Sequence, residues 1–311
     1  MGSPAEDATR ALIRAANDGD PDAMTLLGRR LLVGRDAPKA PDKGAALILT
    51  AAGAGHAEAA ALTAVIYAMG IVAPANWDHA LTALRAAAAL GDTAAKGQMA
   101  VLGDLAGRLA PPPAVTISTA PRLWWVRELA PPSVCDWLVG RAAGRLDLAT
   151  VYDPGSGRLD AQAIRTNTLF ELDLDETDMV VLWLRQRIAR ALDLPQDRLE
   201  PSNVLHYAPG ERFGRHFDFL QPNAPALAQE LATKGQRVAT ALVYLNEDYA
   251  GGETEFPALG KGFKGRPGDG LFFWNVLPTG APDVTTLHAG LPVVSGGKWL
   301  FSQFVRDKVQ G

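Results

Sequence analysis

His216 and Asp218 stand two residues apart in N-V-L-H-Y-A-P-G-E-R-F-G-R-H-F-D-F, residues Asn203–Phe219. The stretch reads as a strand, in which residues i and i+2 project from one face. An imidazole and a carboxylate side by side make half of a metal site. His288, in T-T-L-H-A-G, is the natural third donor. Two imidazoles and one carboxylate on one face of an octahedron, with three positions open, suit non-haem Fe(II) oxygen chemistry. An H-x-D pair alone equally suits a hydrogen-bonded core histidine. What favours the metal is the ordered set that follows. Lys298 lies ten residues after His288, in the strand-like run K-W-L-F-S-Q-F-V-R. A lysine aimed into a barrel is costly without an anion, and a dicarboxylate cosubstrate would supply one.

The chain has 311 residues, 48% hydrophobic and 21% charged, enough for two domains with their own cores. A formal net charge of −4 disfavours nucleic acid or an anionic membrane as partner. Cys135 is the only cysteine, which excludes a disulfide framework and a zinc ribbon. A reducing, cytoplasmic setting is the expectation. The start, M-G-S-P-A-E-D-A-T-R, lacks the basic and apolar regions of a secretory signal, and no apolar run is long enough to span a bilayer.

The front third is alanine-rich and periodic. Gly19, Gly55 and Gly91 recur every 36 residues, and Ala23, Ala59 and Ala95 keep the same step. A helical pattern with a period in the mid-thirties predicts stacked helix hairpins. A Gly-Asp or Gly-His turn opens one helix of each unit, and the other begins near Asp42 or Asp78, taken as N-caps. His56 and His79 read as surface or core filler. The A-A-x-x-G and L-G or Y-x-x-G spacing resembles Sel1-like repeats, relatives of the tetratricopeptide repeats, over residues 1–107 as about three hairpins. A peptide-binding surface and a docking module are equally open for it.

Residues 108–122, with Pro111-Pro112-Pro113, read as a Pro-rich linker. Beyond it, Pro131-Pro132-Ser133 opens a helix with an apolar stripe. Leu148–Tyr152 reads as a short strand, ended by a turn at D-P-G-S-G. Glu176–Leu192 reads as a long amphipathic helix against a sheet. After Pro195 come short strands with Gly and Pro turns, the pattern of a barrel or sandwich. The segment from Gln221 to Gln236 reads as a loop with one helical turn and a candidate lid.

Residues 123–311 resemble the prolyl 4-hydroxylase type of Fe(II)- and 2-oxoglutarate-dependent dioxygenase. The motifs are A-I-R-T-N-T, the Leu199–Phe219 stretch, R-V-A-T-A-L-V-Y-L-N, G-G-E-T-E-F-P and L-H-A-G-L-P-V-V-S-G-G-K-W, in family order. The resemblance implies a double-stranded β-helix, or jelly roll, with supporting helices, behind the all-α solenoid. It implies Fe(II), 2-oxoglutarate and O2 as cofactors, with ascorbate as a reductant. His216, Asp218 and His288 would be the metal ligands and so the catalytic residues. Lys298, Tyr207 and Thr254 would hold the distal carboxylate of 2-oxoglutarate. Related halogenases lack the carboxylate, so Asp218 favours hydroxylation.

Glu200, Arg165 and Arg237 match polar family positions near the substrate, although Arg237 equally suits a structural ion pair. Phe213 stands where the family often has Tyr, and Phe304 where it usually has Trp; both keep a ring and lose a hydrogen-bonding group. Trp299 is counted with these substrate residues, more as core or pocket wall than as a recognition element. His206 alternates away from Tyr207 and reads as structural. The leading expectation is hydroxylation of a peptide or protein side chain, proline first, with the substrate held by the repeats. Hydroxylation of a free amino acid or other small molecule is one alternative. A non-catalytic repeat scaffold with a ligand-sensing barrel is the other.

Overall fold

The computed structural model describes residues 4–153, 158–160 and 164–310. The chain divides into two units: Met1–Arg108 with Leu174–Trp183, and Leu109–Asp173 with Leu184–Gly311.

The first unit holds helices α1 (Pro4–Asn17), α2 (Pro21–Val33), α3 (Pro41–Gly53), α4 (Ala57–Met69), α5 (Trp77–Ala89) and α6 (Thr93–Leu102). They form the three expected hairpins, and helix capping explains the period. Asp20, His56 and Asp92 are the N-caps of α2, α4 and α6. Their side chains accept from the backbone N–H of Ala23, Ala59 and Ala95 at 2.9, 3.2 and 2.6 Å, satisfying a donor that no intrahelical carbonyl can reach. His56 is therefore a cap and not filler. Its Nδ1 accepts, so Nε2–H donates to Asp22 at 2.8 Å.

The caps of α3 and α5 differ from expectation. Pro41 and Trp77 are the first helical residues, which puts Asp42 and Asp78 inside the first turn. Asn76 caps α5 by accepting from His79 N–H at 2.9 Å, and Ala40 before α3 makes no side-chain cap. Pro41 sets its φ for the helix and needs no donor satisfied, so α3 starts without one.

The second unit holds helices α7 (Pro132–Ala142), α8 (Met179–Leu192, its start counted with the first unit) and α9 (Pro225–Lys234). Its strands are β1 (Ala114–Thr119), β2 (Arg122–Val126), β3 (Asp147–Leu148), β4 (Val151–Asp153), β5 (Arg158–Asp160), β6 (Thr168–Leu172), β7 (Ser202–Tyr207) and β8 (Phe213–His216). They continue with β9 (Arg237–Tyr244), β10 (Ala250–Gly251), β11 (Thr254–Phe256), β12 (Lys261–Phe263), β13 (Gly270–Trp274), β14 (His288–Gly290), β15 (Val293–Ser295) and β16 (Lys298–Arg306). One sheet runs β1-β2-β13-β9-β16-β7-β6-β3 and a smaller one β12-β11-β14-β8, as in a jelly roll; β10–β15 and β4–β5 are separate pairs. Buried residues run almost without break through β9, β13 and β16, at the centre of the large sheet.

Three expectations need correction. Residues 114–119 are not linker: V-T-I-S-T is rich in β-branched residues and pairs with β2 as the edge of the large sheet. The segment Gln221–Gln236 holds a ten-residue helix, α9, where one turn was expected. Helix α8 starts at Met179, where Asp178 accepts from Val181 N–H at 2.9 Å. It is buried nearly all round rather than amphipathic. Arg185 and Arg187 are inside, and backbone carbonyls accept from both. Arg185 donates to Glu200 O at 2.7 Å and Leu199 O at 3.1 Å, and Arg187 to Leu129 O at 2.8 Å. The turn expected at D-P-G-S-G falls at 154–157, outside the described residues.

Helices α2 and α3 touch through glycine. A Cβ on Gly44 would lie 2.6 Å from Gly28 O and 2.9 Å from Leu32 N. Helix propensity alone predicts that Gly44→Ala stabilises by about 1 kcal/mol. Packing predicts the opposite sign, a loss of about 1–3 kcal/mol, because two backbones must separate. Thermal unfolding followed by circular dichroism reads the sign.

Candidate active site

Antiparallel pairing of β14 with β8 sets His288 directly opposite His216. Strand β8 ends at His216, so Asp218 lies in the bend just beyond it, not on the strand as expected. The bend still brings it in. His216 Nε2 is 3.4 Å from Asp218 Oδ1 and His288 Nε2 is 3.6 Å from Asp218 Oδ2. One ligand atom from each residue lies within 4.8 Å of the others, and these three are the only such group among the described residues.

The tautomers fit a metal. His216 Nδ1 is 2.8 Å from Gly214 O and His288 Nδ1 is 3.0 Å from Thr286 O. A carbonyl only accepts, so both Nδ1 atoms carry the proton and both Nε2 lone pairs face Asp218. Burial lowers the His288 pKa to about 4, with Asp218 opposing, so the ring is neutral at physiological pH. Burial works to raise the Asp218 carboxyl, but the positive charge that His288 and His216 carry when protonated, and the Thr240 hydrogen bond, outweigh it and hold it well below the usual carboxylate range. Thr240 Oγ1 donates to Asp218 Oδ2 at 2.7 Å and accepts from Asn275 Nδ2 at 2.9 Å, which orients the carboxylate. Such a donor set suits Fe(II).

A cavity of about 750 Å³ opens beside the three residues. Lys298 starts β16, directly opposite Tyr207 of β7, and both line the cavity with Thr254. Lys298 is only 1% exposed. Its Nζ donates to Gly252 O at 2.7 Å, and no carboxylate among the described residues pairs with it. Burial lowers its pKa to about 7, partly offset by Glu253. A buried ammonium without an anion, facing a cavity, fits the distal carboxylate of 2-oxoglutarate. Burial pushes Tyr207 up to about 12, which keeps it a phenol able to donate. The Thr254 hydroxyl is already partnered by Tyr244, 3.0 Å away.

The expected substrate residues divide. Arg165, Glu200, Phe213, Arg237 and Phe304 line the cavity, and Trp299 does not. Strand alternation explains this: Lys298, Leu300, Ser302 and Phe304 face the cavity, so Trp299 faces the other way and packs, tilted, against His206 with 4.4 Å between ring centroids. Its assignment to substrate is corrected, and His206 faces away from the cavity as expected. Arg237 forms the structural alternative, a paired contact to Glu200 at 2.7 and 2.8 Å, with its guanidinium 4.0 Å over Phe304. Glu200 is bonded a second time by Arg306, which also reaches Glu230 of α9 and Gly235 O. Burial works to raise the Glu200 carboxyl, and the two arginines outweigh it. Phe213 packs flat on the His216 ring, 3.5 Å between centroids, and the Arg165 guanidinium lies over the Phe213 ring, 4.6 Å from its centroid.

Sequence reasoning missed Thr240, Asn275, Tyr244 and Arg306. Alternation along β9 would have put Thr240, Leu242 and Tyr244 on one face. For Arg306 that signal fails, because the register shifts between Val305 and Arg306.

Residues 202–306 match the model of the 2OG-Fe(II) oxygenase superfamily. Prolyl 4-hydroxylase 1 of Arabidopsis thaliana is 31% identical over 206 residues, covering 62% of this chain and 71% of its own length. Among solved structures, the viral collagen prolyl hydroxylase from Paramecium Bursaria Chlorella virus-1, in complex with 2OG, is 26% identical over 59% of this chain and 94% of that one, with a TM-score of 0.45. A Sel1 repeat protein from Oxalobacter formigenes is similar over 34% of this chain and 43% of its own, at 24% identity and a TM-score of 0.31.

The depressed Lys298 pKa has a measurable consequence. Without ligand the amine is mostly neutral at pH 8, and a carboxylate binds its protonated form. Binding of 2-oxoglutarate at pH 8 will take up close to one proton, falling towards none by pH 6. Calorimetry in buffers of different ionisation enthalpy measures it, and Lys298→Met abolishes the buffer dependence.

Proposed function

Because this chain belongs to the prolyl 4-hydroxylase family of Fe(II)- and 2-oxoglutarate-dependent dioxygenases, we propose that it hydroxylates proline within a peptide or protein. The enzyme uses Fe(II), 2-oxoglutarate and O2. One observation carries the reading: three metal donors and an unpaired buried lysine line a single cavity. When bound, Fe(II) and 2-oxoglutarate supply the oxidation, in which loss of carbon dioxide to give succinate accompanies transfer of one oxygen to a C–H bond.

The chain's own residues prepare that step. His216 and His288 offer Nε2, and Asp218 offers its carboxylate. Thr240 donates to Oδ2 of Asp218 and fixes the direction in which the carboxylate points. Lys298 receives the distal carboxylate of 2-oxoglutarate, and the Tyr207 hydroxyl donates to the same group. Leu205, Leu242 and Leu300 line the cavity floor and exclude water from it. Glu200 and Arg237 neutralise each other, so they shape the substrate side more than they charge it.

The helical unit is assigned the holding of the substrate protein; exposed apolar side chains at Leu26, Met69 and Leu90 favour that role. Truncation at residue 107 is a poor test of it. Trp183 Nε1 donates to Leu105 O at 2.9 Å and Met179 N to Gln98 Oε1 at 3.0 Å, so the cut strips the start of α8 of its partners. Polar substitution of Leu26, Met69 and Leu90 in the full chain is preferable, with KM rising for a protein substrate and holding for a short peptide.

Purified protein with Fe(II), 2-oxoglutarate and proline-containing peptides will form succinate and add one oxygen to proline, read by mass spectrometry. His216→Ala will abolish both. Succinate from no peptide and no lysate protein would sink the reading. Thr240→Val, which keeps the shape and removes the donor to Asp218, will weaken metal affinity by about 10–100-fold, as loss of a group that orients a metal ligand does. Metal titration measures it.

A further inference from the structure

A polar row that the proposed reaction does not use runs from inside the cavity, at Ser302, to its exposed rim, at Glu171. Glu171 of β6 pairs in register with Asn203 of β7, and Asn203 pairs with Ser302 of β16. All three side chains line the cavity. Ser302 is 4% exposed, yet no described residue hydrogen-bonds its hydroxyl or the Asn203 amide. No described cation forms an ion pair with Glu171. Buried polar groups in native proteins are almost always partnered, so a hydroxyl left open towards a cavity marks a place where a ligand bonds.

The row lies next to the reacting centre. Ser302 pairs with Leu242 on β9, two residues from Thr240, which holds Asp218. Glu171 is two strands across from Ser302, about 10 Å at ordinary strand spacing. Arg165 and Lys234 also line the cavity, but neither forms an ion pair with Glu171. Arg237 and Arg306 are consumed by Glu200, and Arg306 also by Glu230. Glu171 is left at the rim. Partial burial, and then the charges of Asp173 and Glu200, push its carboxyl above the usual range; Lys234 offsets this in part. A cation placed there would relieve that repulsion.

Resting on the proline-hydroxylase reading, we infer that Glu171, Asn203 and Ser302 form a specificity subsite for an organic cation beside the hydroxylated residue. Ser302 and Asn203, each able to donate and accept, bond the peptide main chain. Glu171 pairs with the ammonium or guanidinium of a neighbouring Lys or Arg. The separation suits it: one residue step is about 3.8 Å and a lysine side chain adds about 6 Å. A free α-ammonium has the same chemistry and is a separate arm of the test.

Peptides acetylated at the N-terminus and amidated at the C-terminus, with Lys, Arg, norleucine or Glu beside proline, are compared by succinate release. The wild-type protein will show about fivefold lower KM for Lys or Arg than for norleucine, and a further rise for Glu, at similar kcat. Glu171→Gln will flatten the series and Glu171→Lys will reverse it, while 2-oxoglutarate KM stays unchanged. Ser302→Ala will raise KM for every peptide alike. A series indifferent to charge, or a Lys preference that survives Glu171→Gln, overturns the subsite and leaves proline hydroxylation standing. A second arm needs no hydroxylation: calorimetric binding of the same peptides with alanine replacing proline. Tighter binding of the Lys peptide, lost in Glu171→Gln, supports the subsite even where no proline is oxidised. Equal binding of all four contradicts it. Turnover of free proline with the same sensitivity to Glu171→Gln supports the cation site with the α-ammonium as its source.

Discussion

One strand pairing governs the site. Antiparallel β8 and β14 bring His216 and His288 face to face across the small sheet, although 72 residues of chain separate them. Everything else at the centre depends on that register. A slip of one residue would send one imidazole to the other face of the sheet. Each ring is then held by its own backbone, through the carbonyl two residues earlier, and this choice of tautomer turns both Nε2 atoms inwards. Asp218 needs no strand of its own, because the bend after β8 delivers it and Thr240, from the opposite sheet, fixes its carboxylate. The centre is thus clamped between both sheets of the jelly roll.

The remaining architecture manages buried charge. Arg185, Arg187 and Arg306 are all buried, and they meet their partners in two ways. Arg185 and Arg187 donate to backbone carbonyls, Arg185 also to the Ser202 hydroxyl, and those bonds cost no second charge. Arg306 sits in a network with Glu200, Arg237 and Glu230 that ties β9, β16 and α9 together. Lys298 differs from all of these, since a single carbonyl is its only bond to the described protein. A cation left this exposed to electrostatic penalty marks where ligand, not protein, completes the structure.

The chemistry was legible in the chain because short strands preserve spacing. His216, Asp218, His288 and Lys298 all converge as their motifs imply, and the helical period was legible because capping repeats with it. What was not legible depended on partners distant in sequence. Nothing near Arg185 says that it lies inside, since its satisfying carbonyls are at Leu199 and Glu200. Arg237 offered two roles, and only Glu200 brought alongside it selected the ion pair. Trp299 is a different lesson: alternation from Lys298 already places it on the face away from the cavity. The starts of α3 and α5 were misread because Pro41 and Asn76 set them, a residue or two before the aspartates that looked like caps.

The central claim is that one cavity holds Fe(II) through His216, Asp218 and His288 and 2-oxoglutarate through Lys298. Anaerobic titration of Fe(II) and 2-oxoglutarate into the protein, followed by visible charge-transfer absorption, tests it most directly. The wild-type protein will develop the band only with both present. His288→Ala will not develop it at any iron concentration, and Lys298→Met will need far more 2-oxoglutarate. A wild-type protein without the band, or a band that His288→Ala leaves intact, would contradict the account.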